Sequence, residues 1–270
     1  MKTALTIAGF DPSSGAGITA DLMVFAVHGH FGTSAITSLT VQSTLGVRES
    51  HPVDASVLKA TLDYLHQDLP PAGIKIGMLA TTEIVTAVCE YLEQSRQNGL
   101  HPLIVVDPVL RSSSGRELLS TEGLVVLRDR LLPMADWVTP NIAELSLLTD
   151  MPVDSRDQME PAARSLVQRY PSLNVVATGG HLDRPDDLLL TNGGQAHWIE
   201  GERVESRSTH GTGCAFSSAL LSRLLHGDTP LEAATAAKSY VTEAIRRAEP
   251  IGHGHGPLHH LWPLQQTPSP

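Results

Sequence analysis

The residues with chemistry to offer sit in four polar turns, two of them marked by glycine. In Ser208-Thr209-His210-Gly211-Thr212-Gly213-Cys214, two glycines open a helical run of Ala, Leu and Ser. Consecutive main-chain N–H groups at a helix start, backed by the positive end of the helix dipole, make an anion site. Cys214 falls in the first turn of that helix, where thiols tend to ionise below their free value of about 8.5. The alternative is a small cysteine buried in a well-packed turn. A Cys214–His210 hydrolase pair is also conceivable, but nothing supplies an orienting third group.

The other three turns are more ambiguous. Gly9-Phe10-Asp11-Pro12-Ser13-Ser14-Gly15-Ala16-Gly17 ends a strand and opens a helix. It is either a loop that lets backbone approach a ligand or a plain turn with serine caps. No Gly-Lys-Ser/Thr follows, so it is not a Walker A loop. Asp107-Pro108-Val109 follows an apolar run. An acid there organises magnesium or phosphate, or simply serves as a turn residue. In Thr139-Pro140-Asn141-Ile142-Ala143-Glu144, Asn141 and Glu144 share a helix face, and a capping box accounts for both. His253, His255, His259 and His260 cluster late in the chain. The Gly252-His253-Gly254-His255-Gly256 spacing does not place two imidazoles on a helix face and no cysteine pair joins the cluster, so zinc is not expected.

These turns need a scaffold that gathers them. Short apolar runs at Ala4–Ala8, Ser34–Val41, Gly73–Ile76, Leu103–Val106, Trp137–Thr139 and Asn174–Ala177 read as strands. Several are apolar on both faces, as strands between helix layers are. Helical patterns fall near 14–28, 55–68, 82–97, 120–131, 141–148, 158–169, 213–226 and 230–248, with Pro161 near the start of one, where a missing N–H costs little. Alternating strands and helices predict a mainly parallel sheet covered on both sides. Asn192-Gly193-Gly194 between two strand-like runs, Asp187–Thr191 and Gln195–Ile199, predicts an antiparallel edge hairpin. In an open α/β sheet ligands bind beyond the carboxyl ends of the strands, which is where the polar turns fall. One domain is expected over 1–264, with a loose tail at 265–270.

Composition narrows the function. The 270 residues are 41% hydrophobic and 18% charged, an ordinary globular balance, and the net charge is −10. No Lys/Arg run is present, so nucleic acid and anionic membrane are not expected as partners. Two cysteines build no disulfide framework, and neither a signal peptide nor a membrane span is apparent. The expected setting is cytoplasmic.

Taken together, the segments resemble the hydroxymethylpyrimidine/phosphomethylpyrimidine kinases of thiamine biosynthesis, within the ribokinase-like superfamily. The matching stretches are AGFDPSSGAGITADL at 8–22, VQSTLGV at 41–47, KIGML at 75–79, DPV at 107–109, TPNIAEL at 139–145, GGH at 179–181, STHGTGCAFSSAL at 208–220 and GHGPLHHL at 254–261. They run in the family's order over nearly the whole chain. The resemblance implies a three-layer α/β/α domain, usually dimeric, that uses ATP and Mg2+. It would phosphorylate a pyrimidine's hydroxymethyl group and then the monophosphate. It implies Gly9, Asp21, Gln42, Met78 and Val109 around the pyrimidine; Gln42, both donor and acceptor, suits an aminopyrimidine edge. Asp107 and Glu144 would organise magnesium. Asn141, Thr178, Gly180, Thr209, Gly211 and Gly213 would meet ATP. Gly211, Thr212 and Gly213 would form the anion hole, and Cys214 would be the base.

Three positions depart from the family pattern. Relatives commonly carry lysine at the places held here by Thr178, by Ser112, Ser113 and Ser114, and by His253 in Gly252-His253-Gly254. Arg111, His253 or magnesium would have to supply the charge, and a lid is expected over 110–117. Pyridoxal kinase of the same superfamily and a non-catalytic pyrimidine or nucleotide sensor are the competing readings.

Overall fold

The computed structural model describes residues 1–112, 115–180 and 182–266. In chain order its main elements are β1 (Thr3–Phe10), α1 (Gly17–Val27), β2 (Phe31–Ser43), β3 (Gly46–Pro52), α2 (Ala55–Asp68), β4 (Gly73–Ile76), α3 (Thr82–Gln97), β5 (Leu103–Val106) and α4 (Thr121–Val126). There follow β6 (Trp137–Val138), α5 (Ile142–Thr149), α6 (Arg156–Arg169), β7 (Asn174–Ala177), β8 (Asp187–Leu190), β9 (Ala196–Ile199), α7 (Thr212–His226) and α8 (Pro230–Arg246). The strands form one sheet in the order β3-β2-β1-β4-β5-β6-β7-β8-β9. From β2 to β7 neighbours are parallel, so their carboxyl ends share one edge.

Period-2 alternation makes three layers of it. Leu5, Ile7, Ile104, Val106 and Val175 point into a core closed by α2, α3, α5 and α6. Their neighbours Ala4, Val105 and Val176 point the other way, into a core closed by α1, α7 and α8. This is the expected three-layer arrangement, and the 187–199 hairpin forms as β8 and β9, antiparallel to each other and to β7.

Some elements differ from the sequence reading. β2 extends beyond 34–41 in both directions, and β3 adds a second antiparallel edge, of which only Gly46 and Val47 fall in a matching stretch. The pattern Gly46-Val-Arg-Glu-Ser-His-Pro52 is polar on both faces, as an outer edge strand exposed to water can be. Pro161 is the sixth residue of α6 rather than an opening one, because the helix starts at Arg156. The helix expected over 120–131 ends at Val126 and continues as a π-turn over Leu127–Leu131. Ser113, Ser114, His181 and the tail from 267 onward lie outside the described residues.

Candidate active site

The sheet's carboxyl edge brings the polar turns together. After each parallel strand the chain bonds to its neighbour: Gly77 N to Ile7 O at 2.9 Å, Asp107 N to Ile76 O at 2.7 Å, Thr139 N to Val106 O at 3.0 Å and Thr178 N to Pro140 O at 2.9 Å. Most helices are closed by a side chain at their start, Asp54 for α2, Thr81 for α3, Asn141 for α5 and Thr229 for α8. Away from the site α6 lacks such a cap after Ser155; at the site α5 is capped, whereas α1 after Ala16 and α7 after Gly211 have no side-chain cap. Their first amides are therefore left for another acceptor.

Gly211 makes the α7 start possible. Its φ of +89° is left-handed, and a Cβ there would run into Gly15 O. Thr212 is half-buried and Gly213 exposed, and among the described residues only the Asp107 carboxylate would stand within 4 Å of a Cβ on Gly213. A Cβ on Gly213 would lie 3.8 Å from Asp107 Oδ2, which puts the first turn of α7 beside that carboxylate.

Behind the corner lies a buried charge cluster. Lys75 Nζ donates to Asp21 Oδ1 and Oδ2 at 3.0 and 2.9 Å and stands 3.8 Å from Asp107 Oδ2. Burial works against the Lys75 charge, and the facing Asp21 carboxylate overcomes it and holds the ammonium above its usual range. Thr6 Oγ1 and Ser218 Oγ also donate to Asp21, at 2.6 and 2.8 Å. Burial raises the Asp107 carboxyl, with the Lys75 charge opposing. Ser217 Oγ donates to it at 3.2 Å.

Asn141 and Glu144 do form the capping box, Asn141 N to Glu144 Oε2 at 2.9 Å and Glu144 N to Asn141 Oδ1 at 3.0 Å. Glu144 is nevertheless buried, and burial together with the Asp107 charge pushes its carboxyl up to about 8. Among the described residues, Lys75 is the one cation within ion-pair distance of Asp21, Asp107 or Glu144. Two carboxylates, Asp21 and Asp107, thus share one ammonium, and Glu144 beside Asp107 has no cation partner among the described residues.

The pocket expected around the pyrimidine forms in part. Gly9 packs on Met78, whose sulfur would stand 3.0 Å from a Cβ at position 9. Thr37 Oγ1 pins the Met78 carbonyl at 2.6 Å. Val109 is half-buried just beyond Asp107, and Gln42 is half-buried at the end of β2. Gln42 touches the residue before Gly211: its Nε2 lies 2.9 Å from His210 Nε2. The amide corner and the ring pocket are therefore neighbours.

Several residues stand apart from their sequence reading. Asp21, expected at the pyrimidine, has no exposed surface, because its carboxylate is spent on Lys75, Thr6 and Ser218. Cys214 was expected to ionise easily. Its residue is half-buried, yet desolvation of the thiol outweighs the Lys75 charge and pushes it up to about 12. Gly17 N–H is a hydrogen-bond partner of its sulfur. His210 pairs with Asp11 and Gln42 rather than with Cys214. Thr178 is backbone-bonded beside Asn141, Gly180 is exposed, and Thr209 Oγ1 lies 3.4 Å from His255 Nδ1.

Lys75, Asp11, Ser217 and Ser218 lie in the matching stretches, but the sequence reading assigned them no role. A lysine inside Gly-Ile-Lys-Ile, a strand buried on both faces, was the available signal, since such a charge is kept only with a partner.

The fold and the site together define a small-molecule kinase of the ribokinase-like class. The family model described as phosphomethylpyrimidine kinase matches residues 11–259. The hydroxymethylpyrimidine/phosphomethylpyrimidine kinase of Haemophilus influenzae is 38% identical over 96% of this chain and 97% of its own. The thiamine biosynthesis bifunctional protein of Geobacter sulfurreducens is 40% identical over 95% of this chain, which spans about half (52%) of that longer relative. Among solved structures, a phosphomethylpyrimidine kinase from Clostridium difficile has a TM-score of 0.79 at 36% identity, covering 91% of this chain and 100% of that one. An ADP complex of Bacillus subtilis pyridoxal kinase has a TM-score of 0.86 at 32% identity, covering 99% and 100%. The chain belongs to the phosphomethylpyrimidine kinase family.

Proposed function

We propose that the chain transfers the terminal phosphoryl group of ATP to the hydroxymethyl oxygen of 4-amino-5-hydroxymethyl-2-methylpyrimidine, and then phosphorylates the monophosphate, in thiamine biosynthesis. The observation that carries this reading is the uncapped start of α7: Gly211 has no side-chain cap, a Cβ on Gly213 would stand 3.8 Å from Asp107, and the residue before Gly211, His210, meets Gln42. The family membership and the names of the relatives above support the substrate.

The chemistry asks for positioning and charge stabilisation more than covalent help. The bond from the γ-phosphorus to the bridging oxygen breaks, the bond to the alcohol oxygen forms, and ADP leaves. Preorganised backbone donors at the α7 start stabilise the charge on the transferring group, each key donor contributing roughly 3–4 kcal/mol in comparable holes. Cys214 is our candidate for the alcohol's proton. With the thiol pushed up to about 12, Cys214 carries its own proton near neutrality, and its side chain is hydrogen-bonded to Asp107. It would pass that proton to the Asp107 carboxylate as it takes the alcohol's, late in a loose transfer.

Magnesium fits the acids of this site. Asp107 and Glu144 are buried acids close enough for the Asp107 charge to raise the Glu144 carboxyl, a repulsion that a divalent cation would relieve, and Mg2+ is commonly held by one or two carboxylates plus substrate phosphates. Asp107 and Glu144 would hold it, and when bound it would neutralise phosphate charge. Asn141, Thr178, Gly180 and Thr209 are proposed on the nucleotide side. With threonine at 178 and histidine at 253, Arg111 and His253, both exposed, are the candidates to supply positive charge.

A homodimer is proposed through the β2–β3 edge, where Leu39, Val41 and the turn residue Leu45 are exposed at 49%, 44% and 75%. A cytoplasmic setting suits two unpaired thiols, Cys89 and Cys214. The test is ADP release with Mg-ATP and either the pyrimidine alcohol or pyridoxal. Release with the pyrimidine alcohol is expected. Release with pyridoxal alone would make the chain a pyridoxal kinase, and none with either would favour a sensor.

A further inference from the structure

His210 stands where three groups of the site meet, and its hydrogen bonds balance in one way only. Nε2 lies 2.7 Å from Asp11 Oδ2 and 2.9 Å from Gln42 Nε2. A ring nitrogen carries one proton or none. With a proton, Nε2 meets the Gln42 NH2 donor to donor; without one, it meets the Asp11 carboxylate acceptor to acceptor. Asp11 decides between them. Its Oδ1 accepts from Ser13 N at 2.8 Å and Ser13 Oγ at 2.7 Å, and its Oδ2 from Ala16 N at 3.0 Å. Burial opposes its ionisation, but the bonds from His210 and Ser13 overcome burial and hold the carboxyl below its usual range. The carboxylate is ionised and takes the Nε2 proton.

A second mismatch lies at the other end of the same amide. Thr40 Oγ1 has one proton and faces two acceptors, Phe10 O at 2.9 Å and Gln42 Oε1 at 3.1 Å. The nitrogen and oxygen of a carboxamide are alike in shape, and exchanging them cures both faults together. The Gln42 carbonyl then accepts from His210 Nε2–H, alongside Asp11. Its NH2 donates to Thr40 Oγ1, whose own proton goes to Phe10 O. The ring that imposes this is held firmly. His210 N donates to Gly256 O at 3.0 Å, and the imidazole packs so closely on Gly15 that a Cβ there would strike it.

We propose that Asp11 and His210 act as a positioning pair that turns the Gln42 carboxamide so that its carbonyl is engaged inside the protein and one N–H faces the substrate, making residue 42 a reader of an acceptor nitrogen in the heteroaromatic ring rather than of an exocyclic amine. The proposal rests on the reading of Gln42 as a ring contact. It fixes which edge of the ring that residue can select.

Gln42→Glu gives the sharpest test, because glutamate keeps the shape and the acceptor oxygens but has no N–H to give. The probe is 4-amino-5-hydroxymethyl-2-methylpyrimidine, titrated calorimetrically against the protein without nucleotide. Gln42→Glu and Gln42→Ala are each expected to weaken binding about tenfold, the scale of one lost hydrogen bond. His210→Phe is expected to weaken it similarly in the wild-type background and to add nothing in Gln42→Ala, with ATP affinity held within about threefold. Wild-type or tighter binding by Gln42→Glu would overturn the proposal, as would independent, additive losses from His210→Phe and Gln42→Ala. Nitrogen-15 NMR of the wild-type imidazole supplies an arm that needs no ligand: a protonated Nε2 is expected at neutral pH, and a bare Nε2 would overturn the proposal. Failure of the wild type to bind the pyrimidine alcohol would remove the substrate reading instead and leave the NMR result to judge the orientation of Gln42.

Discussion

Lys75 and Asp21 form an ion pair, Nζ to Oδ2 2.9 Å, with neither side chain touching solvent. Removing one member of such a pair leaves a buried charge uncompensated, at a cost of about 3–5 kcal/mol. Lys75→Met is therefore expected to lower the midpoint of thermal unfolding by on the order of 10 °C. The loss should be smaller in Lys75→Met combined with Asp21→Asn. A differential scanning experiment on the two variants checks this, and equal losses would mean that the pair is not the source of the effect.

Cys214→Ala should separate rate from binding. A positioned base contributes about 10²–10⁴-fold to rate, so turnover is expected to fall within that range. ATP affinity should stay within about threefold, because the sulfur is no phosphate donor in this account. Steady-state kinetics alongside nucleotide titration measures both, and unchanged turnover would remove the thiol from the mechanism.

The absence of lysine at Thr178 and His253 makes a claim about nucleotide binding. Fewer fixed cations leave more phosphate charge to the metal, so calorimetry without Mg2+ is expected to show ATP affinity at least about tenfold weaker than with it. Tight binding of metal-free ATP would contradict this.

Asp11 gives a pH dependence with a defined sign. Its folded pKa lies below the ordinary 3.8, so its contribution to stability is fully present above that value and is lost as pH falls through the folded one. Asp11→Asn should cost stability at pH 7, and the gap to wild type should narrow on acidification below about pH 4. Urea denaturation at the two pH values reads it. A gap of constant size would mean that the carboxylate's ionisation contributes nothing.

Much of the fold was written in local patterns. Leu103–Val106 and Asn174–Ala177 are apolar on both faces, and strands of that kind belong only between helix layers. Asn192-Gly193-Gly194 marked the hairpin directly. β3 left no such trace, because an edge strand facing water need not carry an apolar stripe, and its pairing partner β2 lies across a short turn that reads as a motif. At the site, Gly211–Cys214 and Asp107 were legible as types at spacings. What spacing cannot give is long-range pairing: Asp21 meets Lys75 across 54 residues and His210 meets Asp11 across 199. Those contacts sent Asp21 into the core. They also drew His210 away from Cys214, whose high thiol pKa reflects desolvation that no helix-start rule anticipates.

Gly213→Leu tests the central claim most directly. Position 213 is exposed, and a Cβ there meets Asp107 at ordinary contact distance, so the variant should fold and melt near the wild-type temperature. Its side chain would occupy the space between the α7 amides and Asp107. Turnover of the pyrimidine alcohol with Mg-ATP is expected to fall at least about 100-fold, the scale of losing one preorganised donor, while calorimetry shows the alcohol itself still binding. A folded Gly213→Leu enzyme that turns over at the wild-type rate would show that the phosphoryl group passes elsewhere.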